Sequence, residues 1–244
     1  MPKIDKSKYT KEEFQKIRNA RRAEKAKQRS LKLQKEITES KSNPLPNTSS
    51  NTCFVLGNGV SRKGILPQEL NVYGKIYGCN ALYREYNPDY LVAVDVKMIL
   101  EISKSGYQYN HHVWTNPNRA FAKIQGLNYF RPSKGWSSGP TALWLASQHA
   151  HKRVFILGFD FKGLDDGKRL NNVYADTNNY KKSSDGATFF GNWLRQTTTV
   201  VRENPFIDFY RVIMPDNYIP DELNKFNNLK HIFVEDFKKM FNLS

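Results

Sequence analysis

Residues 52–64 read Thr-Cys-Phe-Val-Leu-Gly-Asn-Gly-Val-Ser-Arg-Lys-Gly, and the rest of the chain is best interpreted outward from this stretch. Its apolar run Cys53–Leu56 has the length of a buried strand. The run breaks into Gly57-Asn58-Gly59, a cluster that ends strands, and Ser61 is suited to cap a following helical turn. The stretch matches neither complete glycine-rich phosphate motif. It predicts a phosphate or nucleotide cradle after a first parallel strand or, alternatively, a tight turn without a ligand.

Length, charge and cysteine content indicate an intracellular α/β protein without a transmembrane helix. The chain has 244 residues and a formal net charge of +15, which fits one α/β domain with an extension. No run of about 18 apolar residues occurs, so we expect no transmembrane helix, and the charged N-terminus is unlike a secretory signal. Cys53 and Cys79 both adjoin apolar runs, which is typical of reduced core cysteines in an intracellular protein.

The N-terminal segment 1–43 is predicted to be a basic helical arm. It holds 14 Lys/Arg and 6 Asp/Glu, against 24 and 17 in the remaining 201 residues. Thr10 with Glu13 makes a capping box, and residues 10–40 contain no glycine or proline. The arm is interpreted either as a contact surface for nucleic-acid phosphates or an acidic protein surface, or as a solvated extension. Residues 44–51 are the predicted linker.

From residue 52 to residue 244, short apolar runs alternate with helical stretches. This pattern predicts an α/β, Rossmann-like domain with a mostly parallel sheet and helices on both faces. A polar loop at 162–190 is long enough to be functional or mobile. Strands are predicted at Cys53–Leu56, Lys75–Cys79, Tyr90–Val94, His112–Thr115, Arg153–Gly158 and Phe206–Ile213, and helices at Ser137–His151, Phe189–Arg202 and Phe233–Phe241.

Polar residues follow the predicted strands at their carboxyl ends, where parallel sheets bind ligands. Each has a simpler explanation as a cap or a turn, but their joint placement predicts one ligand site. Ser138 opens a helix whose free N–H groups favour an anion. Asp95 and Asp160 leave room for a divalent ion, although no residue is assigned as a metal ligand. The predicted ligand-binding residues are Gly57, Asn58, Gly59, Ser61, Asn80, Asp95, Ser138, Gly139 and Thr141.

Aromatic and histidine residues are less informative. Trp136 lies just before the predicted anion-binding helix, near Lys134, and is the best candidate to stack on a ligand ring. Trp144 and Trp193 lie in helical stretches and are interpreted as core residues. The histidines at the end of the predicted helix 137–151 are interpreted as favourable charges at a helix terminus.

Four segments carry a resemblance to a known family: Leu56–Ser61, Gly78–Tyr83, Ser138–Thr141 and Phe155–Phe161. In this order they resemble the nucleotide-binding core of bacterial sialyltransferases that use CMP-sialic acid. The same core resembles archaeal hydroxymethylpterin pyrophosphokinase, motility-associated glycosylation factors and uncharacterised proteins of marine bacteriophages. The resemblance implies that Asn58 and Asn80 hold a nucleotide, that the Ser-Gly pair at the helix start contacts it, and that Asp160 occupies the family's acidic position.

The chain departs from this family in its variable region. The sialyltransferases have a histidine general base there, whereas residues 162–230 contain no histidine. Tyr174, Asp176 and Tyr180 are the polar groups available instead, and an aspartate acts as a base where its pKa suits. The candidate catalytic residues are therefore Asp160, Asp176 and Tyr174.

Three functions are compatible with the sequence. The first is a nucleotide-dependent transferase, foremost a sialyltransferase-like glycosyltransferase with a CMP- or UDP-linked sugar donor. The second is a binding or structural protein, which the resemblance to phage proteins allows to be phage-encoded, and its arm docks on nucleic acid, an acidic protein surface or a larger assembly. The third, a phosphoryl-transfer enzyme, is disfavoured because no acidic metal cluster is evident. The expected location is the cytoplasm, including that of a phage-infected host, or the virion.

Overall fold

The structure is a computed structural model that describes residues 10–21, 24, 28 and 51–244. The chain divides into two units, Met1–Lys41 and Ser42–Ser244. In the first, residues 11–21 form helix α1. Glu13 accepts a hydrogen bond from the Thr10 backbone N–H at 2.9 Å, and Thr10 Oγ1 accepts one from the Glu13 N–H at 3.3 Å. The predicted capping box is therefore present. Of the predicted basic arm and linker, residues 1–9, 22–23, 25–27 and 29–50 lie outside the described residues.

Eight parallel strands form one sheet in the described part of the second unit, in the order β5-β4-β3-β2-β1-β6-β7-β8. The predicted α/β Rossmann-like architecture is confirmed. The strands are β1 (Thr52–Leu56), β2 (Lys75–Cys79), β3 (Tyr90–Val92), β4 (Val113–Thr115), β5 (Leu127–Tyr129), β6 (Arg153–Leu157), β7 (Asp208–Ile213) and β8 (Leu229–Phe233).

Helices cover both faces of the sheet. Along β1, Phe54 and Leu56 pack into a core with the helices Val96–Ser105 and Val234–Met240, while Cys53 and Val55 pack into a second core with the helices Ser138–Gln148 and Gly191–Glu203. Alternate residues of a strand face opposite sides, so two covered faces explain the near-continuous apolar runs. The helices are α2 (Pro67–Leu70), α3 (Val96–Ser105), α4 (Ser138–Gln148), α5 (Leu164–Gly167), α6 (Gly191–Glu203) and α7 (Val234–Met240).

Strands β5 and β8, which the sequence pattern did not indicate, complete the two edges of the sheet. The β5 run has only three residues, and β8 carries Lys230 and His231 in its middle. Strand β3 ends at Val92, two residues earlier than predicted. In the part of the chain that the structure describes, no helix combines the length and apolar character needed to cross a membrane.

The strand order reverses at β1. The chain passes from β1 to β2 on one side and later returns to β6 on the other side of β1. At such a reversal the two following loops diverge and open a crevice beyond the carboxyl ends of the strands. The fold therefore places the loop after β1 and the loop after β6 at the position where open α/β sheets bind ligands.

Candidate functional site

The loops after β1 and β6 meet backbone to backbone. The N–H of Gly57 donates to the carbonyl of Leu157 at 2.8 Å, and that of Gly59 donates to the carbonyl of Gly158 at 2.9 Å. A Cβ on Gly57 would lie 2.5 Å from the Gly158 oxygen, and Gly158 itself has φ +68°. The two loops therefore approach so closely that a side chain at Gly57 would clash, and the backbone conformation of Gly158 also favours glycine.

Asp160 braces the loop that follows β1. One carboxylate oxygen accepts the Ser61 backbone N–H at 3.1 Å, and the other accepts the Ser61 hydroxyl. Both side chains are buried. Ser61 lies inside the 3₁₀ turn Val60–Arg62, which has no side-chain cap, so its predicted role as a cap is wrong.

Arg211 on β7 stabilises the loop after β6 by hydrogen bonds. The guanidinium donates to the carbonyl of Phe159 at 2.8 Å and to that of Tyr218 at 3.0 Å. It also lies 5.1 Å from the centroid of the Phe161 ring. Burial lowers the pKa of Arg211 to about 10. The sequence analysis did not identify this residue, because a single arginine in a strand carries no motif.

Asn80, the first residue after β2, presents a buried hydrogen-bond acceptor. Its φ is +53°, a conformation that asparagine adopts more readily than most residues. Its Oδ1 is buried and has no hydrogen-bond partner among the described residues. Because an unpaired buried acceptor is costly, this oxygen is suited to receive a donor from a ligand.

Cys79, which precedes Asn80, is not an activated nucleophile. Its thiol donates to the carbonyl of Leu56 at 3.3 Å. Burial raises the pKa of Cys79 to about 12, so the thiol stays protonated near neutral pH. As predicted, both cysteines are buried and free.

The polar loop between β6 and α6 is tied to the loops after β1 and β2. Asn171 Oδ1 accepts the Val60 N–H at 2.8 Å. The Tyr180 hydroxyl accepts from Asn58 Nδ2 at 3.2 Å and from the Ala81 N–H at 3.3 Å. Burial raises the pKa of Tyr180 above its usual value, so the hydroxyl remains a neutral hydrogen-bonding group. Side-chain hydrogen bonds thus hold the polar loop against the loop after β1 and the loop after β2.

Helix α4 directs its amino end toward the same crevice. The N–H groups of Ser138 and Gly139, in its first turn, have no intrahelical acceptor. The N–H of Ser137, just before the helix, is accepted by Gln196 Oε1 at 3.1 Å. Thr141 is fully buried, and its hydroxyl donates to the Ser137 carbonyl at 2.8 Å.

Together these elements enclose a cavity of about 650 Å³, within the size range of small-molecule sites. Its aromatic lining comes from Trp136, Phe159, Phe161, Phe190 and Trp193. Its polar side chains are Asn58, Asn80, Asp95, Ser137, Ser138, Asp160, Asn171, Asn172, Asn179, Tyr180, Lys181, Thr188, Asn192 and Gln196.

The cavity brings together eight of the predicted site residues: Gly57, Asn58, Gly59, Asn80, Asp95, Ser138, Gly139 and Asp160. Ser61 and Thr141 lie behind its wall in the contacts described above. Asp95 occupies the N-cap position of α3, but its exposed carboxylate makes no capping bond. Trp193, interpreted as a core residue, packs against the core and also lines the cavity.

Tyr174 and Asp176, two of the predicted catalytic residues, are not in the lining. The Tyr174 hydroxyl donates to Glu85 at 2.5 Å and accepts from Arg62 at 2.7 Å. Arg62 and Glu85 also form an ion pair with each other at 2.9 Å. Asp176 accepts the Ser183 N–H at 3.0 Å, and its hydrogen bonds with Ser183 lower the pKa of the carboxyl. Both side chains have structural partners where they lie.

The sequence analysis missed Asn171, Asn172, Asn179 and Gln196 as lining residues. The asparagine-rich composition of residues 162–190 was the available signal, but composition does not indicate which side chains turn inward. Gln196 had no signal, because it is an ordinary residue of a predicted helix.

The histidines after α4 are buried, so their interpretation as charges at a helix end is wrong. His149 and His151 are each 2% exposed and contact the Tyr77 hydroxyl at 2.5 and 2.8 Å. Burial lowers the pKa of His149 to about 4, so its ring is neutral near pH 7.

Comparisons with protein-family models, curated proteins and solved structures gave no match. Within the described ranges, no group of three or more His, Cys, Asp or Glu residues is placed to hold a metal ion. The function is therefore inferred from the cavity itself.

Proposed function

We propose that the cavity binds a nucleotide sugar and that the protein is a nucleotide-dependent glycosyltransferase of the sialyltransferase-like kind. The observation that carries this proposal is Asn80, whose buried, unpartnered Oδ1 belongs to a residue lining the cavity. Asn80 follows β2, next to the strand-order reversal, where open α/β sheets bind nucleotides. A ligand hydroxyl or amine would supply the donor that this oxygen lacks.

The chemistry of the lining suits the three parts of such a ligand. The N–H groups of Ser138 and Gly139 are free to bind phosphate oxygens, as at other helix N-termini. Trp136 and Trp193 offer ring faces to a base. The amide side chains of the polar loop suit the hydroxyl groups of a sugar.

In the proposed reaction, an acceptor hydroxyl oxygen attacks the anomeric carbon of the donor sugar. The bond between that carbon and the phosphate oxygen breaks, and the nucleotide leaves with the electron pair. Asp95 accepts the hydroxyl proton, because it lines the cavity and has no side-chain hydrogen bond to any described residue. Asp160, the other lining carboxylate, is already occupied by Ser61. The N–H groups of Ser138 and Gly139 stabilise the leaving phosphate.

The test is nucleotide release from CMP-sialic acid and from UDP-sugars, with and without a sugar acceptor, using the full chain. We expect release from one donor, reduced at least about 100-fold in Asp95→Asn. Nucleotide affinity should stay within about threefold of wild type. Asp176→Asn, which removes a carboxylate outside the cavity, is the matched control and should release nucleotide at the wild-type rate. Wild-type release by Asp95→Asn would contradict the assigned base.

A second candidate is a nucleotide-binding protein without catalysis. It is favoured by one observation: Asp160, Tyr174 and Asp176 all have structural hydrogen-bond partners. In that case the cavity binds nucleotide but releases none from any donor. The basic arm would then be the functional surface, and replacing its Lys and Arg residues by Gln would abolish binding to nucleic acid or an acidic partner.

A further inference from the structure

Gln196 on α6 lines the cavity, and one end of its side-chain amide is fixed by a hydrogen bond. Its Oε1 accepts the Ser137 N–H at 3.1 Å. Because only the oxygen of an amide accepts a backbone N–H, this bond fixes the orientation of the side chain. The Nε2 group is then the free end, and it has no hydrogen-bond partner among the described residues. The residue is only 8% exposed and is one of the residues that line the cavity.

The surroundings of this free amide are aromatic. Trp193 lies one helical turn before Gln196 on α6, and Trp136 precedes the Ser137 that Gln196 holds. Lys134 Nζ lies 5.2 Å from the centroid of the Trp136 ring and 4.9 Å from that of Trp144, which steadies the Trp136 side chain. Phe190 packs edge-on against Trp193 at 5.2 Å between centroids. A hydrogen-bond donor on a cavity wall that also carries Trp136, Phe190 and Trp193 suits a flat ring with an acceptor on its edge.

We infer that Gln196 is the residue that recognises the base, donating its Nε2–H to a carbonyl oxygen on the edge of the ring. This inference rests on the proposed function and specifies which part of the ligand occupies the aromatic side of the cavity. A carbonyl projects beyond the ring, so it can meet a side chain in the cavity wall while the ring faces lie against tryptophan. Cytosine, uracil and guanine carry such an oxygen, whereas adenine does not.

Gln196→Glu separates this role from a structural one. The carboxylate still accepts the Ser137 N–H, but its second oxygen is an acceptor in place of the Nε2 donor. Gln196→Met removes the donor without adding charge, but it also removes the acceptor of the Ser137 N–H, so only a loss of affinity shared by both variants is assigned to the Nε2 donor. Gln148→Glu, at the exposed end of α4, is the control for the charge change.

The experiment is calorimetric titration of the full-length variants with cytidine, uridine, guanosine, adenosine and ribose 5-phosphate. We expect wild type to bind at least one carbonyl-bearing nucleoside more tightly than adenosine. Its affinity should fall at least about tenfold in Gln196→Glu and Gln196→Met, and stay unchanged in Gln148→Glu. Affinity for ribose 5-phosphate should fall much less than affinity for the nucleoside.

Other outcomes overturn the inference in distinguishable ways. Equal nucleoside binding by wild type and both Gln196 variants refutes the role of Gln196 and leaves the proposed function standing. If the Gln196 variants lose more affinity for ribose 5-phosphate than for the nucleoside, Gln196 binds the phosphate and not the base. If wild type binds none of the nucleosides and, in the same titration, neither CMP nor UDP, the inference and the proposed function fail together.

Discussion

Ser61 and Asp160 are joined by two hydrogen bonds that cross from the loop after β1 to the loop after β6. The Ser61 N–H and hydroxyl are both donors, and the two carboxylate oxygens of Asp160 accept one each. The pair lies 99 residues apart in sequence and is buried. It holds together the two loops between which the cavity opens, so the acidic residue at the end of β6 positions the site.

Asp160→Ala should destabilise the protein by about 2–3 kcal/mol, because it leaves two buried Ser61 donors without acceptors. Urea unfolding measures this. Asp221→Ala removes an exposed carboxylate with no hydrogen bond or ion pair to any described residue and should change the free energy of unfolding by less than about 0.5 kcal/mol. If Asp160→Ala were as stable as Asp221→Ala yet inactive in nucleotide release, Asp160 would have a catalytic role instead.

Gly158→Ala should cost more stability than Gly64→Ala, although both glycines have positive φ. The backbone strain is similar at φ +68° and φ +79°. A Cβ at Gly158 would lie 2.9 Å from the Gly57 oxygen, whereas one at Gly64 would meet nothing within 4 Å. We expect a loss of about 1 kcal/mol for Gly64→Ala and at least about 2 kcal/mol for Gly158→Ala in urea unfolding. Equal losses would mean that the two loops have room to separate.

The sequence predicted most of the sheet because near-continuous apolar runs separated by helices are typical of a parallel sheet covered on both faces. It also placed Asn58, Asn80 and Ser138 on the cavity, because carboxyl ends of parallel strands share an edge. It did not show that Asp160 is bonded to Ser61, or that Tyr174 lies within the ion pair of Arg62 and Glu85. Those facts depend on side-chain directions across long sequence separations, which periodicity does not encode.

Tyr180→Phe and Tyr174→Phe should separate ligand binding from stability. The Tyr180 hydroxyl accepts from Asn58 Nδ2 and the Ala81 N–H at the cavity wall. Its removal should weaken nucleotide binding about tenfold, since it frees the Asn58 side chain, and should also lower stability by about 1–2 kcal/mol, because two donors lose their acceptor. Tyr174→Phe breaks the contacts with Arg62 and Glu85 outside the cavity, so it should lower stability by about 1–2 kcal/mol and leave affinity unchanged. Calorimetric titration with urea unfolding of both variants checks this, and a reversed pattern would reassign the two tyrosines.

Stability should fall as the pH drops from about 6.5 to about 4. Burial, together with neighbouring His151, lowers the pKa of His149 to about 4, whereas an unfolded histidine titrates near 6.5. Between these values the unfolded state binds more protons, so the free energy of unfolding decreases as the pH falls. His231, whose pKa is also lowered to about 4 by burial, adds to the same trend.

Urea unfolding between pH 7 and pH 4.5 measures this dependence. His149→Asn should reduce the slope without abolishing it, because His231 remains. His112→Asn, a change at an exposed position, should keep the wild-type slope. A slope in His149→Asn identical to that of wild type would show that His149 takes up its proton equally in both states.

Binding of nucleotides to wild type and to Asn80→Gly tests the nucleotide cavity most directly. Glycine tolerates the φ of +53° at this position, so Asn80→Gly removes the unpartnered oxygen without backbone strain. Asn242→Gly makes the same change at an exposed residue with φ +48° outside the cavity. The titrants are CMP, UMP, GMP, AMP and UDP, and we predict that wild type binds at least one of them in calorimetric titration. The affinity of Asn80→Gly for that nucleotide should be about tenfold lower than that of wild type, and the affinity of Asn242→Gly should equal that of wild type. No binding to wild type, or undiminished binding to Asn80→Gly, would contradict a nucleotide site built around Asn80.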